Sequence, residues 1–322
     1  MQAMKNRKRF LIVSPLLVVD QTLEEAAEWY GSWLNIERIP SSGLADWTRG
    51  SGGAIGITNF EALDKSVPRG NLGGLAVDES SMLKGHYGKW GKEIIRLGKG
   101  LEWVLAGTGT PAPNDRIEYA NHAVLCGAFP SVNSFLARYF INRGQTDKRW
   151  ELKPHAVNAC YRDLSHLCLF LANPATYGFK SHADDVPPMH VHITNVPLTT
   201  EQIDLVHGRT GELFVNNLGG IAKRQKMATI AKGWLGSKPV ATNKPEHIRC
   251  MVDSWPTEST IIWCLYNEEQ DIMERTSPEA VSMRGATPLA ARREMIAAFK
   301  AGKVRILISK PKVLGFGLNL QV

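Results

Sequence analysis

Two adjacent carboxylates, Asp78 and Glu79, follow the aliphatic run Leu75-Ala76-Val77 and carry the most informative chemistry of this chain. A buried strand ending in such a pair delivers both groups to one ligand-binding edge. In a nucleotide hydrolase the Asp holds magnesium through water, while the Glu orients or activates the attacking water. The two tasks need different directions, which neighbouring side chains at a strand end provide. The same residues also suit a solvated acidic loop. A second strand-like run ends in Leu105-Ala106-Gly107-Thr108-Gly109-Thr110-Pro111. The hydroxyls of Thr108 and Thr110 and the small residues between them can approach a phosphate or sense the carboxylate loop. Taken alone, this segment reads as a glycine-rich turn into a helix starting near Asn114.

Other chemistry is weaker. The glycine run from Gly50 to Gly56 contains no Lys, and Gly88-Lys89 is followed by Trp90, so no G-x-x-x-x-G-K-[ST] phosphate loop occurs in the chain. A metal-dependent nuclease using Asp78, Glu79 and His86 needs further convergent ligands, and the spacing offers no compact set. His190 and His192 alternate onto one face of an expected strand and read as surface or packing histidines. Asp184 and Asp185 read as a polar loop before Pro187. Five isolated cysteines with no C-x-x-C pair give neither a zinc ribbon nor a redox pair, and fit a reducing compartment.

The elements that position these groups alternate. Short aliphatic strands are expected at Phe10 to Val13, Ile36 to Ile39, Ala54 to Thr58, Leu72 to Val77 and Trp103 to Thr108, with helical stretches between several of them. That rhythm predicts a parallel α/β sheet, whose ligands bind beyond the C-terminal strand ends. From Asn114 to about Gly178 the chain reads as mainly helical. An alternating stretch follows at His190 to Val196, then an amphipathic helix from Ile221 to Leu235, where Met227, Ile230 and Trp234 share a face and Lys223, Arg224, Lys226 and Lys232 lie largely elsewhere. Gly236 to Pro245 reads as a linker. A second α/β pattern has strands at Ile261 to Leu265 and Val304 to Ile308. Between them Pro288 starts a helix that buries Leu289, Ile296 and Phe299. Trp29, Trp90 and Trp234 are assigned to packing rather than base stacking.

Length and charge bound the answer. At 322 residues the chain holds about two domains of roughly 150 residues. With 43% apolar and 21% charged residues it builds a core, which excludes wholesale disorder. A formal charge of +7 suits a nucleic-acid partner without requiring one. The apolar run Phe10 to Val19 is broken by Ser14 and Pro15 and is too short for a bilayer. It follows Lys5, Arg7, Lys8 and Arg9 like a signal peptide, but no small-residue cleavage site comes next, so it reads as a buried strand.

Taken in order, these pieces resemble the helicase-like, DNA-dependent ATPases of superfamily two, in their Swi/Snf-like branch of phages and bacteria. The matching segments are LIVSPLLVVDQ at 11–21, GITNFEAL at 56–63, LAVDESSMLK at 75–84 and LAGTGTPAPN at 105–114. The likeness continues through FLARYFINRG at 135–144, AKRQKMATIAKGWL at 222–235, IIWCLYNEEQ at 261–270 and the segment 284–321, which contains ISKPKVLGFGLNLQ. The ordered set, spanning nearly the whole chain, is far more specific than any one block.

The resemblance implies tandem RecA-like lobes, the first incomplete at its N-terminus and the second truncated at its C-terminus. The first lobe would occupy 1–195, a helical connector 196–245 and the partial second lobe 246–322. ATP and Mg2+ would bind in the cleft and DNA, duplex in preference to single-stranded, across the lobes. Asp78 would be the magnesium-side aspartate, through water, and Glu79 the catalytic carboxylate. Thr108 and Thr110 would link nucleotide state to DNA grip. Ser14 with Pro15, and Thr58 with Asn59, would touch the nucleic-acid backbone. Gly315, Gly317 and Asn319 would form a second-lobe loop that touches DNA and closes on the nucleotide, with Lys310 and Lys312 adding phosphate attraction. Ser80 and Ser81 depart from the Ala or Cys and His more usual in the family.

The family's phosphate-loop lysine lies upstream of the first strand seen here, and its arginine motif lies beyond the glycine loop. The isolated chain is therefore expected to hydrolyse ATP weakly, as a fragment or as one half of a split motor with a separately encoded completing segment. The alternative is a nucleic-acid-binding subunit with no turnover of its own. A cytoplasmic location, in a bacterial host or phage-infected cell, and no membrane association are expected.

Overall fold

A computed structural model of the chain describes residues 8–64, 66–144, 150–169, 174–179, 189–207, 225, 227, 229–230, 232–235, 238–315, 318 and 320. The expected α/β class holds, with a parallel sheet in each of two compact units, the first within residues 1–181 and the second within 182–315.

The first sheet follows from the aliphatic runs. β1 (Arg9–Ser14), β2 (Ile36–Arg38), β3 (Ala54–Asn59), β4 (Leu72–Val77) and β5 (Trp103–Ala106) pair in the order β2-β3-β1-β4-β5, every pair parallel. From β1 the chain goes to the edge strand β2, returns through β3 beside β1, then crosses to the other side for β4 and β5. Such a reversal of strand order opens a crevice beyond the C-terminal ends of the strands flanking it, here β1 and β4. Phe10 lies opposite Gly74 in the β1–β4 register, and a Cβ on Gly74 would collide with the Phe10 ring. Glycine there lets an aromatic ring cross the central ladder.

The helices α1 (Val18–Tyr30), α2 (Leu44–Arg49) and α3 (Lys89–Gly98) connect the strands. Leu11, Val13, Leu75, Val77, Ile94 and Leu97 belong to one buried cluster beneath the strand ends. Trp90 packs on this cluster, its ring 5.4 Å from that of Phe60. Trp29 does not pack: it is 73% exposed, because α1 buries Val18, Val19 and Ala26 and turns its last residues outward.

The segment expected to be mainly helical contains α4 (Tyr119–Leu125), α5 (Val132–Tyr139) and α6 (Val157–Ser165), interrupted by an antiparallel pair, β6 (Phe140–Asn142) with β7 (Trp150–Leu152). Aromatic edges hold it, with Phe129 and Phe135 centroids 5.2 Å apart at 86°.

In the second unit, α7 (Thr200–His207) precedes a short hairpin of β8 (Trp234–Leu235) and β9 (Lys238–Pro239). Trp234 thus ends in a strand rather than on the expected helix, and Lys223, Arg224 and Lys226 lie outside the described residues. The expected linker carries β9 and the start of α8 (Lys244–Ser254). The strands β10 (Thr260–Trp263), β11 (Val281–Ser282) and β12 (Ile306–Ser309) form a parallel sheet in the order β10-β12-β11. The helices α9 (Asn267–Thr276), α10 (Leu289–Lys300) and α11 (Pro311–Leu314) complete it. Phe299 of α10 is buried as expected, whereas Leu289 and Ile296 are half-buried. His190 to Val196 pairs with no strand among the described residues. Both histidines there are exposed, so the alternation does not mark a half-buried sheet face. Among the described residues no helix is long and apolar enough to cross a membrane.

Candidate active site

The crevice between β1 and β4 is built from the last residues of those strands. Val13 and Val77 are register partners, and the Asp78 amide donates to the Val13 carbonyl at 2.8 Å, extending the ladder one residue. Ser14 therefore lies beside Asp78. It is completely buried, and its Oγ donates to Asp78 Oδ2 at 2.9 Å, while the Glu79 amide donates to Oδ1 at 2.9 Å. Donors to both oxygens fix the carboxylate plane. Asp78 is half-buried, and each oxygen retains acceptor capacity. One hard oxygen donor with open coordination suits a cation that keeps most of its waters, as Mg2+ does.

Glu79 takes the left-handed conformation, φ 46° and ψ 49°, and is the one non-glycine residue with positive φ among those described. For a residue with a Cβ this costs on the order of 1–2 kcal/mol, and such strain concentrates at sites where it is over-determined by the surroundings. The Glu79 carboxyl is hydrogen-bonded by Thr108, whereas Asp78 is bonded by Ser14 and the Glu79 amide, so the two carboxyls have different partners. Burial pushes the Glu79 carboxyl above the usual carboxylate range and the Asp78 charge pushes it the same way, while a hydrogen bond from Thr108 opposes both. The Thr108 Oγ1 also accepts from the Thr110 amide at 3.2 Å. The Ser80 amide donates to the Gly107 carbonyl, and the Gly107 amide to the Val77 carbonyl, each at 2.9 Å. The loops after β4 and β5 are thus laced together, and Asp78, Glu79, Thr108 and Thr110 share one neighbourhood.

Two further residues hold the carboxylate loop and were not singled out from the sequence. The His122 ring lies 3.0 Å from Ser80 Oγ, and the Asn121 Nδ2 donates to the carbonyls of Leu83 at 2.6 Å and Gly85 at 2.9 Å. Their one signal is local: two polar residues inside the otherwise apolar Tyr119-Ala-Asn-His-Ala-Val-Leu125 helix, every residue of which is buried.

The remaining candidates divide. Ser14, expected against a nucleic-acid backbone, has no open surface; its hydroxyl is committed to Asp78. Thr58 is buried, and its Oγ1 donates to the Ile39 carbonyl at 2.9 Å, so that hydroxyl is committed inside the sheet as well. Pro15 and Asn59 are half-buried at the same strand ends, and Asn59 Nδ2 donates to Glu61 Oε2 at 2.6 Å. In the second unit Lys310 caps α11 and its ammonium bonds Asn267 Oδ1, Lys312 is exposed, and Gly315 closes the helix with its amide on the Pro311 carbonyl at 2.8 Å. A Cβ on Gly315 would come within 2.5 Å of that carbonyl oxygen, so the turn requires glycine. Gly317 and Asn319 lie outside the described residues. His86 packs against the Tyr87 ring at 4.5 Å, and no group of three His, Cys, Asp or Glu residues able to hold a metal forms among the described residues, so the nuclease constellation does not assemble there.

Several solved structures are similar to this chain over almost its whole length. The Sulfolobus solfataricus SWI2/SNF2 ATPase core in complex with dsDNA aligns with 99% of this chain and 71% of its own, at 17% identity and a TM-score of 0.42. The S. cerevisiae Dbp5 bound to RNA and ADP BeF3 aligns with 98% and 61%, at 12% identity and 0.45. The DUF1998 helicase MrfA bound to DNA and AMPPNP aligns with 99% and 37%, at 12% identity and 0.46. No protein-family model and no curated protein matches the chain.

Proposed function

We propose that this chain is the core of a superfamily-two, nucleic-acid-dependent ATPase of the Swi/Snf type, a motor that moves along duplex DNA. The observation that carries the reading is the Asp78–Glu79 pair at the strand-order reversal, with Asp78 held by Ser14 and Glu79 set in a left-handed turn and bonded by Thr108. Bound magnesium would supply charge neutralisation on the transferred phosphoryl group. Asp78 would hold the water shell of that ion. Glu79 orients the attacking water and accepts its proton. Thr108 donates to Glu79 and accepts from Thr110, so displacement of the Gly107–Thr110 loop is felt at the base. Pro15 and Asn59 at the strand ends, and Lys310, Lys312, Gly315, Gly317 and Asn319 in the second unit, are the proposed nucleic-acid contacts. Phosphate contacts suffice for a motor that need not read bases.

The phosphate-binding lysine is proposed to come from a segment that pairs on the outer edge of β5. Among the described residues β5 pairs on one side only, and its Leu105 is 64% exposed, an unusual state for a strand of a parallel sheet. The chain alone is expected to bind duplex DNA with a steep salt dependence and to release little phosphate from ATP; with the completing segment, DNA stimulates release. A completed protein that binds ATP but gains no turnover from DNA or RNA overturns the ATPase reading. Strong DNA stimulation of the chain alone overturns the need for the segment.

The Glu79 environment sets a pH dependence. A base must be ionised to accept a proton, and a carboxyl pushed upward loses that capacity at a higher pH than usual. The acid limb of kcat is therefore expected above the ordinary glutamate value of about 4.3. Thr108→Val removes the opposing hydrogen bond and is expected to move the limb further up, read from a pH–rate profile.

A further inference from the structure

We infer that His122 is a positioning residue for Glu79, acting through Ser80: the imidazole fixes the backbone turn that holds the carboxylate in its left-handed conformation. Its consequence for turnover rests on Glu79 being the base, but its consequence for the loop does not.

The argument starts from which atoms can donate. His122 is 7% exposed, and its Nδ1 faces the Glu118 carbonyl at 3.4 Å. A carbonyl only accepts, and the tautomer with the proton on Nδ1 satisfies it. Burial holds the imidazole below its ordinary range, which keeps the ring neutral. In that tautomer Nε2 is an acceptor, and the hydroxyl of the fully buried Ser80, 3.0 Å away, is its donor.

That bond closes a frame around Glu79. Ser80 is tied on its amide side to Gly107 and on its side chain to α4, so the residue after Glu79 can neither rotate nor retreat. The residue before it, Asp78, is tied to Val13 and Ser14. With both neighbours fixed, the peptide units flanking Glu79 are fixed, and the strained φ is the one that satisfies them. Further along, Asn121 grips the Leu83 and Gly85 carbonyls, while its Oδ1 has no partner in the described structure, so the amide acts wholly as a donor. Gly91 of α3 makes room for it: a Cβ there would lie 2.9 Å from Asn121 Cγ. A short helix with two adjacent polar residues, both buried and both aimed at one loop, is an expensive arrangement for packing alone, because buried polar groups gain little over apolar ones of the same shape. Its yield is a loop with one geometry.

The test uses the full chain without nucleotide, by amide hydrogen exchange. The reporting amides are Ser80, bonded to Gly107, and Met82, bonded to the Glu79 carbonyl at 3.0 Å. His122→Leu keeps the bulk and removes the acceptor. It is expected to speed exchange at Ser80 and Met82 by about tenfold, the loss of roughly one buried hydrogen bond, with the β3 amides unchanged. His122→Gln, which restores an acceptor near the Nε2 position, is expected to return exchange towards the parent rate. The parent His122 is expected to show the Nδ1-protonated ring by 15N shifts. If His122→Leu fails to fold, Ser80→Ala breaks the same bond from the other side and is expected to give the same local acceleration. Unchanged exchange at Ser80 and Met82, an acceleration spread equally into β3, or no rescue by Gln overturns the inference. Absence of ATP turnover in the parent chain would speak against the proposed function and leave this result standing.

Discussion

Glu79→Gln is expected to lower nucleic-acid-stimulated ATP hydrolysis by about 10²–10⁴-fold, the usual worth of a positioned general base, while ATP binding is retained. The substitution is nearly isosteric, so the left-handed turn, the Ser80–His122 bond and the Thr108 hydroxyl all keep a partner of the right shape. What the amide loses is the ability to take a proton from water. Ground-state contacts to the nucleotide do not depend on that ability, so the loss falls on kcat and not on affinity. Stability is not expected to fall either. The folded state disfavours the charged form of Glu79, through burial and the Asp78 charge, and a neutral amide relieves both. Phosphate release and binding of a fluorescent ATP analogue, measured on the completed protein with duplex DNA, check the prediction. Turnover within threefold of the parent would remove Glu79 from its role.

The carboxylate pair was legible because its signal is contiguous: an aliphatic run, then two acids. Its supports were not, because they are contacts across long sequence separations. Ser14 reaches Asp78 from 64 residues away and His122 reaches Ser80 from 42, and neither residue type at its own position announces a partner. The same distinction explains the fold. Four of the five strands of the first sheet are short, mostly apolar runs and read directly, whereas β2, Ile36-Glu37-Arg38, has a single apolar residue. β11 has two residues and depends on β12 for its existence. α9, Asn-Glu-Glu-Gln-Asp-Ile-Met-Glu-Arg-Thr, is polar nearly throughout and buries Gln270 and Met273, too little apolar periodicity to mark a helix. His190 to Val196 errs the other way, with an alternating pattern but no neighbouring strand to use it, so Val191 and Ile193 stay exposed. Local pattern predicts an element where burial follows it, and fails where pairing decides.

A pair of identical substitutions on adjacent strands measures how far burial governs the sheet that carries the site. Leu75 in β4 is fully buried, opposite Leu11 on one side and Val104 on the other, three residues before Asp78. Leu75→Ala is expected to cost about 2.7–5 kcal/mol, the transfer of the side chain plus an unrelaxed cavity. Ladders on both flanks stop the backbone from closing the gap. Gly98, whose Cβ would sit 3.1 Å from Leu75 Cδ2, offers no side chain to swing in. That loss is a large fraction of the roughly 5–15 kcal/mol by which domains are stable, and it should appear as a lowered urea midpoint with an unchanged slope. Leu105→Ala in β5 removes the same atoms from a side chain already in water and is expected to stay within about 0.5 kcal/mol. Equal costs at the two positions would mean that the open face of β5 is covered in solution, and the edge proposed for the completing segment would not be free to receive it. Once that segment is bound, the asymmetry should shrink, because Leu105 then gains what Leu75 already has: a neighbouring strand and a dry surface.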